Sequence, residues 1–188
     1  QNHPAVRWAE PHWFFYPNPF FPPEDDLFAD TWHLREAEVG SIHTEAAWDH
    51  GLGAGVRVGV IDTGTDIAHA DLNVIASFDV IDDDRDASAE CSSSHDGRGR
   101  ADGCPNDRRF MESHGTGVSG VIGALANGVG AVGVCPQCEL LPVRMIGGSG
   151  GRRSSHAAAL TWLAQQRAAV VNNSWGPSLA RFFPMSIA

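Results

Sequence analysis

Two polar residues stand out because each is set into a stretch otherwise built for burial. Asp62 ends the run Val56-Arg57-Val58-Gly59-Val60-Ile61 and is followed by Thr63-Gly64. His114 opens Gly115-Thr116-Gly117-Val118-Ser119-Gly120, which leads into the small, apolar run Val121 to Ala126. A carboxylate beside an imidazole is an arrangement that activates a hydroxyl: the carboxylate fixes the ring's tautomer and stabilises its protonated form, and the ring removes and returns a proton. The alcohol it serves is a poor nucleophile without such a base in contact. A histidine at a helix entrance is by itself an ordinary structural residue. The pairing of His-Gly-Thr-Gly with Asp-Thr-Gly is what points to catalysis.

Both residues need rigid supports. The β-branched run before Asp62 reads as a buried parallel strand that delivers one polar residue to the carboxyl edge of a sheet, where open α/β sheets carry their sites. The glycines after His114 suit a buried helix that another backbone approaches closely. Further extended runs lie at Asn73 to Asp79, Glu139 to Met145 and Ala168 to Asn173. Helical patterns cover Ser41 to His50 and a segment capped by Ser154 or Ser155 that continues to about Gln166. Strands alternating with helices predict an α/β fold: a parallel sheet with helices on both faces. Val170-Val171 reads as central strand sequence, so the four strands of this chain predict an incomplete sheet that another polypeptide must continue.

With Asn172-Asn173-Ser174-Trp175-Gly176 downstream, these motifs resemble, in chain order, those of the subtilisin-like serine proteases. The likeness runs from about Asp25 to Pro177. Asp25-Asp26-Leu27-Phe28 and Thr31-Trp32-His33-Leu34 are similar to the entry of the kexin-like and related bacterial branches. The resemblance implies a serine endopeptidase in which Asp62 and His114 are two members of the catalytic triad. The family's serine, in a Gly-Thr-Ser motif, has no counterpart before Ala188. The expected partner is therefore a C-terminal fragment of the same precursor, cleaved near Ala188 and held by packing. The polypeptide substrate would add as a strand between two exposed edges, Ser174-Trp175-Gly176 and Gly148-Ser149-Gly150. Arg152, Arg153 and Arg181 near those edges disfavour dibasic substrates. The resemblance also implies Ca2+ as cofactor, held by the side chains of Asp25, Asp71 and Asn127 and by backbone oxygens of Leu125, Val129 and Ala131. Residues 1–24 read as an extended arm, either surface-bound or, through Val6 to Pro11, derived from a propeptide; residues 25–188 read as the N-terminal portion of the catalytic domain. The alternatives are a non-catalytic binding module that kept the fold without the nucleophile, and a calcium-stabilised structural domain.

Composition narrows the partners. A formal charge of −10 over 188 residues argues against nucleic acid or an anionic membrane, both of which need a positive face. All 13 basic residues are arginine. No apolar run approaches the roughly 20 residues of a membrane span. The cysteines fall into two close pairs, Cys91 with Cys104 and Cys135 with Cys138. In an acidic, protease-like chain that pattern suggests disulfides and a secreted or periplasmic location, although Cys-Pro-Gln-Cys also has zinc-ligand spacing. The long irregular stretch Ile81 to Glu112 needs a reason to be ordered. Asp82, Asp83, Asp84 and Asp86 offer hard oxygen ligands for a second calcium, and a Cys91–Cys104 bridge would stabilise the loop by about 3 kcal/mol.

Overall fold

The computed structural model describes residues 23–35, 39–89, 113–147 and 153–176. The arm at 1–22, the Cys91–Cys104 pair and the Gly148-Ser149-Gly150 edge lie outside the described residues, as does most of the stretch from Ile81 to Glu112 beyond residue 89.

Four strands form one parallel sheet: β1 (Arg57–Asp62), β2 (Phe78–Asp79), β3 (Glu139–Arg144) and β4 (Val170–Asn172), in the spatial order β2-β3-β1-β4. β1 and β3 run in register from Arg57 opposite Glu139 to Asp62 opposite Arg144. Their five innermost positions are buried, as a strand covered on both faces requires. Among the described residues three α-helices accompany the sheet: α1 (Thr44–Trp48), α2 (Ser113–Gly123) and α3 (Arg153–Gln165).

The two-residue period of a strand assigns the faces. Gly59 lies against the Leu163 methyls of α3, and Ile61 joins Leu141, Val143, Met145, Ala159 and Leu163 in one cluster. Val58 belongs to the opposite cluster with Leu72, Cys138 and Leu140, onto which Ile122 of α2 packs. Even positions of β1 therefore face α2, which puts Asp62 on that side. A third cluster of Phe28, Leu34, Trp48 and Val132 anchors the N-terminal segment, and Trp48 Nε1 donates to the Val134 carbonyl at 2.9 Å.

Three expectations shift in detail. The Asn73 to Asp79 run is a strand only at Phe78–Asp79, with a single parallel bridge from Val74 to Leu140 upstream. α3 begins at Arg153, so Ser154 and Ser155 fall within its first turn instead of preceding it. β4 bonds only to β1 among the described residues, and its Val170 is 56% exposed. That valine has central-strand character at a position left uncovered among the described residues.

Candidate active site

Asp62 is the last residue of β1 and His114 the second of α2, and the two side chains meet: His114 Nδ1 lies 2.7 Å from Asp62 Oδ1. Asp62 is 1% exposed, whereas the imidazole is 51% exposed. With Nδ1 committed to the carboxylate, Nε2 is the nitrogen left to exchange protons, which is the division of labour a base and its orienting partner require. Asp62 Oδ1 also accepts the Thr63 N–H at 2.7 Å, while its buried Oδ2 has no partner among the described residues.

The turn after Asp62 is built to let α2 come close. A Cβ on Gly115 would collide with the Gly64 carbonyl and touch Asp62 Cβ, so only glycine fits there. Gly64 itself has φ +111°, with Ala89 and Ser88 packed behind it. Thr63 Oγ1 accepts the Gly115 N–H at 3.2 Å, Thr116 Oγ1 accepts the Asp66 N–H at 2.9 Å, and the Thr65 and Ser119 hydroxyls are 3.1 Å apart. These threonines and Ser119 lock helix to turn. Their presence in both motifs was visible in the sequence, but their partners were not.

The downstream edge is tied to the same strand. Trp175 Nε1 donates to the Ile61 carbonyl at 2.8 Å, and its ring lies 4.6 Å from that of His156 on α3. Ser174 and Gly176 are exposed beside it.

Away from the catalytic pair, Asp25, Asp71 and the Asn127 loop come together. Asp25 Oδ1 accepts the N–H groups of Asn127 and Gly128, each at 3.1 Å, and the Gly130 carbonyl accepts the Leu27 N–H at 2.8 Å. Among the described residues Asp25 Oδ2 and Asp71 Oδ1 are buried without a hydrogen-bond partner. Burial, and then the charge of Asp25, pushes the Asp71 carboxyl up; His69 and the backbone N–H groups of Ala131 and Leu125 oppose the shift. Among the described residues no three His, Cys, Asp or Glu side chains gather as a metal cluster. Carbonyls must supply the remainder of any site here. Those of Leu125, Val129 and Ala131 accept nothing from the described backbone N–H groups. Asn127 Oδ1 accepts the Val129 N–H at 3.0 Å.

The acidic stretch that followed Asp79 behaves differently. Asp82 pairs with Arg144 at 3.0 Å, Asp84 Oδ1 accepts the Asp86 N–H, and Asp86 Oδ1 accepts the Ser88 N–H. Three of the four carboxylates offered as ligands for a second calcium, those of Asp82, Asp84 and Asp86, thus have partners within the protein. Cys135 and Cys138 form a disulfide, with Cα atoms 5.4 Å apart and Gly53 against both sulfurs, which removes the zinc reading of Cys-Pro-Gln-Cys.

Comparison with known proteins agrees with this geometry. The Subtilase family matches residues 53–186. A calcium-dependent protease of Nostoc sp. is 32% identical over 157 residues, 80% of this chain and 21% of the relative. An extracellular protease of Xanthomonas campestris is 30% identical over 157 residues, 74% of this chain and 26% of the relative. A solved protease structure from Pseudoalteromonas arctica superposes with a TM-score of 0.64 at 30% identity, covering 84% of this chain and 47% of that one. The chain thus spans about a quarter of the length of the two curated relatives and just under half of the solved structure. It belongs to the subtilase family.

Proposed function

We propose that this subtilase chain supplies the Asp–His half of a serine endopeptidase. The observation that carries the reading is the 2.7 Å contact between a half-exposed imidazole and a carboxylate buried at a strand end. In acylation, His114 Nε2 takes the proton of a serine hydroxyl as that oxygen attacks the scissile carbonyl, then passes it to the leaving amine. Asp62 holds the ring and stabilises the imidazolium. Water repeats the sequence in reverse to release the acyl group. The serine is assigned to a further part of the precursor, beyond the sequence described, which also continues the sheet past β4 and provides the side-chain donor to the oxyanion, a group worth about 3 to 4 kcal/mol of barrier in enzymes of this kind. The extended substrate lies along Ser174-Trp175-Gly176 on one side and Gly148-Ser149-Gly150 on the other.

Calcium fits the Asp25–Asp71 pocket. Two buried carboxylate oxygens without partners and three uncommitted carbonyls are hard donors of the kind the ion takes. Asp25, Asp71, Asn127 and the carbonyls of Leu125, Val129 and Ala131 would hold it, and its charge would neutralise the two carboxylates and stiffen the loop. The names of the Nostoc and Xanthomonas relatives support calcium dependence and an extracellular setting, where the Cys135–Cys138 disulfide persists.

The test is casein hydrolysis by the complete protease carrying Asp62→Ala or His114→Ala. Because triad members act as a unit, either change should cost several orders of magnitude in kcat, with the circular dichroism spectrum unchanged. Retention of most activity by either variant refutes the reading.

A further inference from the structure

Arg144 stands between two buried aspartates. It is the register partner of Asp62 on β1 and, on its other side, of Asp79 on β2. Partnered side chains of adjacent strands rise from the same face about 5 Å apart, so a long guanidinium at this position has either carboxylate within reach. Arginine forms strong charge-assisted pairs wherever a carboxylate is presented to it. Here the guanidinium lies on the β2 side: Nη1 donates to Asp79 Oδ2 at 2.5 Å and to Asp82 Oδ2 at 3.0 Å. Asp79 is itself fixed, because its Oδ1 accepts the Ile81 and Asp82 N–H groups at 2.6 and 3.1 Å. Asp62 meanwhile keeps a buried Oδ2 with no partner among the described residues although an arginine occupies the neighbouring position. By hydrogen-bond satisfaction alone Asp62 would be better served by turning Arg144 toward it. Its charge would then be spent on a permanent cation, and an imidazolium forming at His114 would lose its counter-ion.

We propose that Asp79 and Asp82 are positioning residues for the catalytic pair: they hold Arg144 away from Asp62, so that the only cation Asp62 neutralises is the imidazolium of His114. The inference rests on the protease reading of the site.

In the complete protease, Asp79→Asn loosens the hold on Arg144. The expected result is a fall in kcat of about 10- to 100-fold with KM nearly unchanged, short of the roughly ten-thousand-fold loss that follows removal of the orienting carboxylate in such a triad. Adding Arg144→Gln removes the competitor, and kcat returns to within a few-fold of wild type. The Nδ1 proton resonance of His114, read in protein whose serine has been replaced by alanine, moves upfield in Asp79→Asn and returns in the double variant. Should Asp79→Asn fail to fold, the more exposed Asp82→Asn repeats the test, with a smaller loss in kcat and a smaller upfield shift of the Nδ1 proton; full kcat with an unmoved resonance overturns the proposal. A single variant with full kcat, or a double variant as slow as the single, overturns the proposal and leaves the carboxylates a structural role. Full activity in His114→Ala would instead refute the protease reading beneath it.

Discussion

Two acidic regions lie at opposite ends of this sheet, Asp79 at its carboxyl edge and Asp71 where Leu72 and Asn73 meet Ala124 and the start of β3, and they solve one problem in opposite ways. Near the N-terminal segment, Asp25 and Asp71 are buried together with two oxygens unpartnered, and their mutual repulsion adds to burial in pushing the Asp71 carboxyl up. Beside β3, Asp79 is 1% exposed and Arg144 7% exposed, and the carboxylate is matched by a guanidinium and two backbone N–H groups. One region carries its cation in the sequence; the other leaves two carboxylate oxygens without a partner among the described residues, which is why it is the proposed calcium site. The difference teaches that an acidic run does not identify a metal site. What identifies it is carboxylate oxygen left over once the protein's own donors have been counted.

The largest effect expected from breaking this contrast is on stability. Arg144→Met strands the buried Asp79 charge, and breaking a buried pair from one side costs about 3–5 kcal/mol. Thermal unfolding of the complete protease should register that loss, and calcium should not restore it. A loss below about 1 kcal/mol would mean that Asp79 finds other solvation, and the two regions would cease to differ.

The next effect is smaller and has the other sign of dependence on solution. Calcium at about one hundred times its dissociation constant should stabilise the folded protein by about 2.7 kcal/mol, and chelation should remove that gain. Asp71→Asn should abolish the calcium response while leaving the chelated protein as stable as wild type or slightly more so, because it relieves repulsion instead of creating it. An unchanged melting temperature on chelation would leave the Asp25 and Asp71 oxygens unexplained.

The smallest effect is one of proton linkage. In calcium-free protein the folded pKa of Asp71 lies above its ordinary 3.8. The folded state then holds that proton more tightly than the unfolded state, so its stabilising contribution is full below the unfolded value and lost as pH rises through the folded one. Asp86 is the reverse: the Ser88 hydroxyl, and then its N–H, hold the carboxyl below 3.8. Its contribution is present above the unfolded value and lost as pH falls through the folded one. Carboxyl titrations followed by NMR should place the Asp71 midpoint above that of Asp86, and calcium should bring the former down. Coincident midpoints without calcium would dissolve the distinction.

The catalytic pair and its strands were legible because both are local. A run of β-branched residues ending in Asp-Thr-Gly states its own direction, and β1 was displaced from the Val56 to Ile61 reading by one residue. What stayed hidden depends on register. Nothing in Leu140 to Met145 announces that Arg144 lies opposite Asp62, or that Asp79 flanks it on the other side, since parallel pairing joins segments far apart in sequence. The same blindness made Asp82 resemble a calcium ligand when its partner is an arginine in a strand about sixty residues downstream. The sequence likewise showed oxygen donors in Asp25, Asp71 and Asn127, but not which of their lone pairs would remain unused after folding.

The indole of Trp175, which donates to the carbonyl of the residue before Asp62, has a consequence for redesign. Position 175 belongs to the proposed substrate edge and so invites substitution by anyone seeking new cleavage preferences. Among the aromatic residues only tryptophan combines a flat apolar face with a ring N–H donor. A phenylalanine would keep a ring for His156 but would leave the Ile61 carbonyl without that donor. Preference and turnover are therefore mechanically linked at this position. Libraries that vary the cleft should hold Trp175 constant and draw their diversity from its exposed neighbours, Ser174 and Gly176.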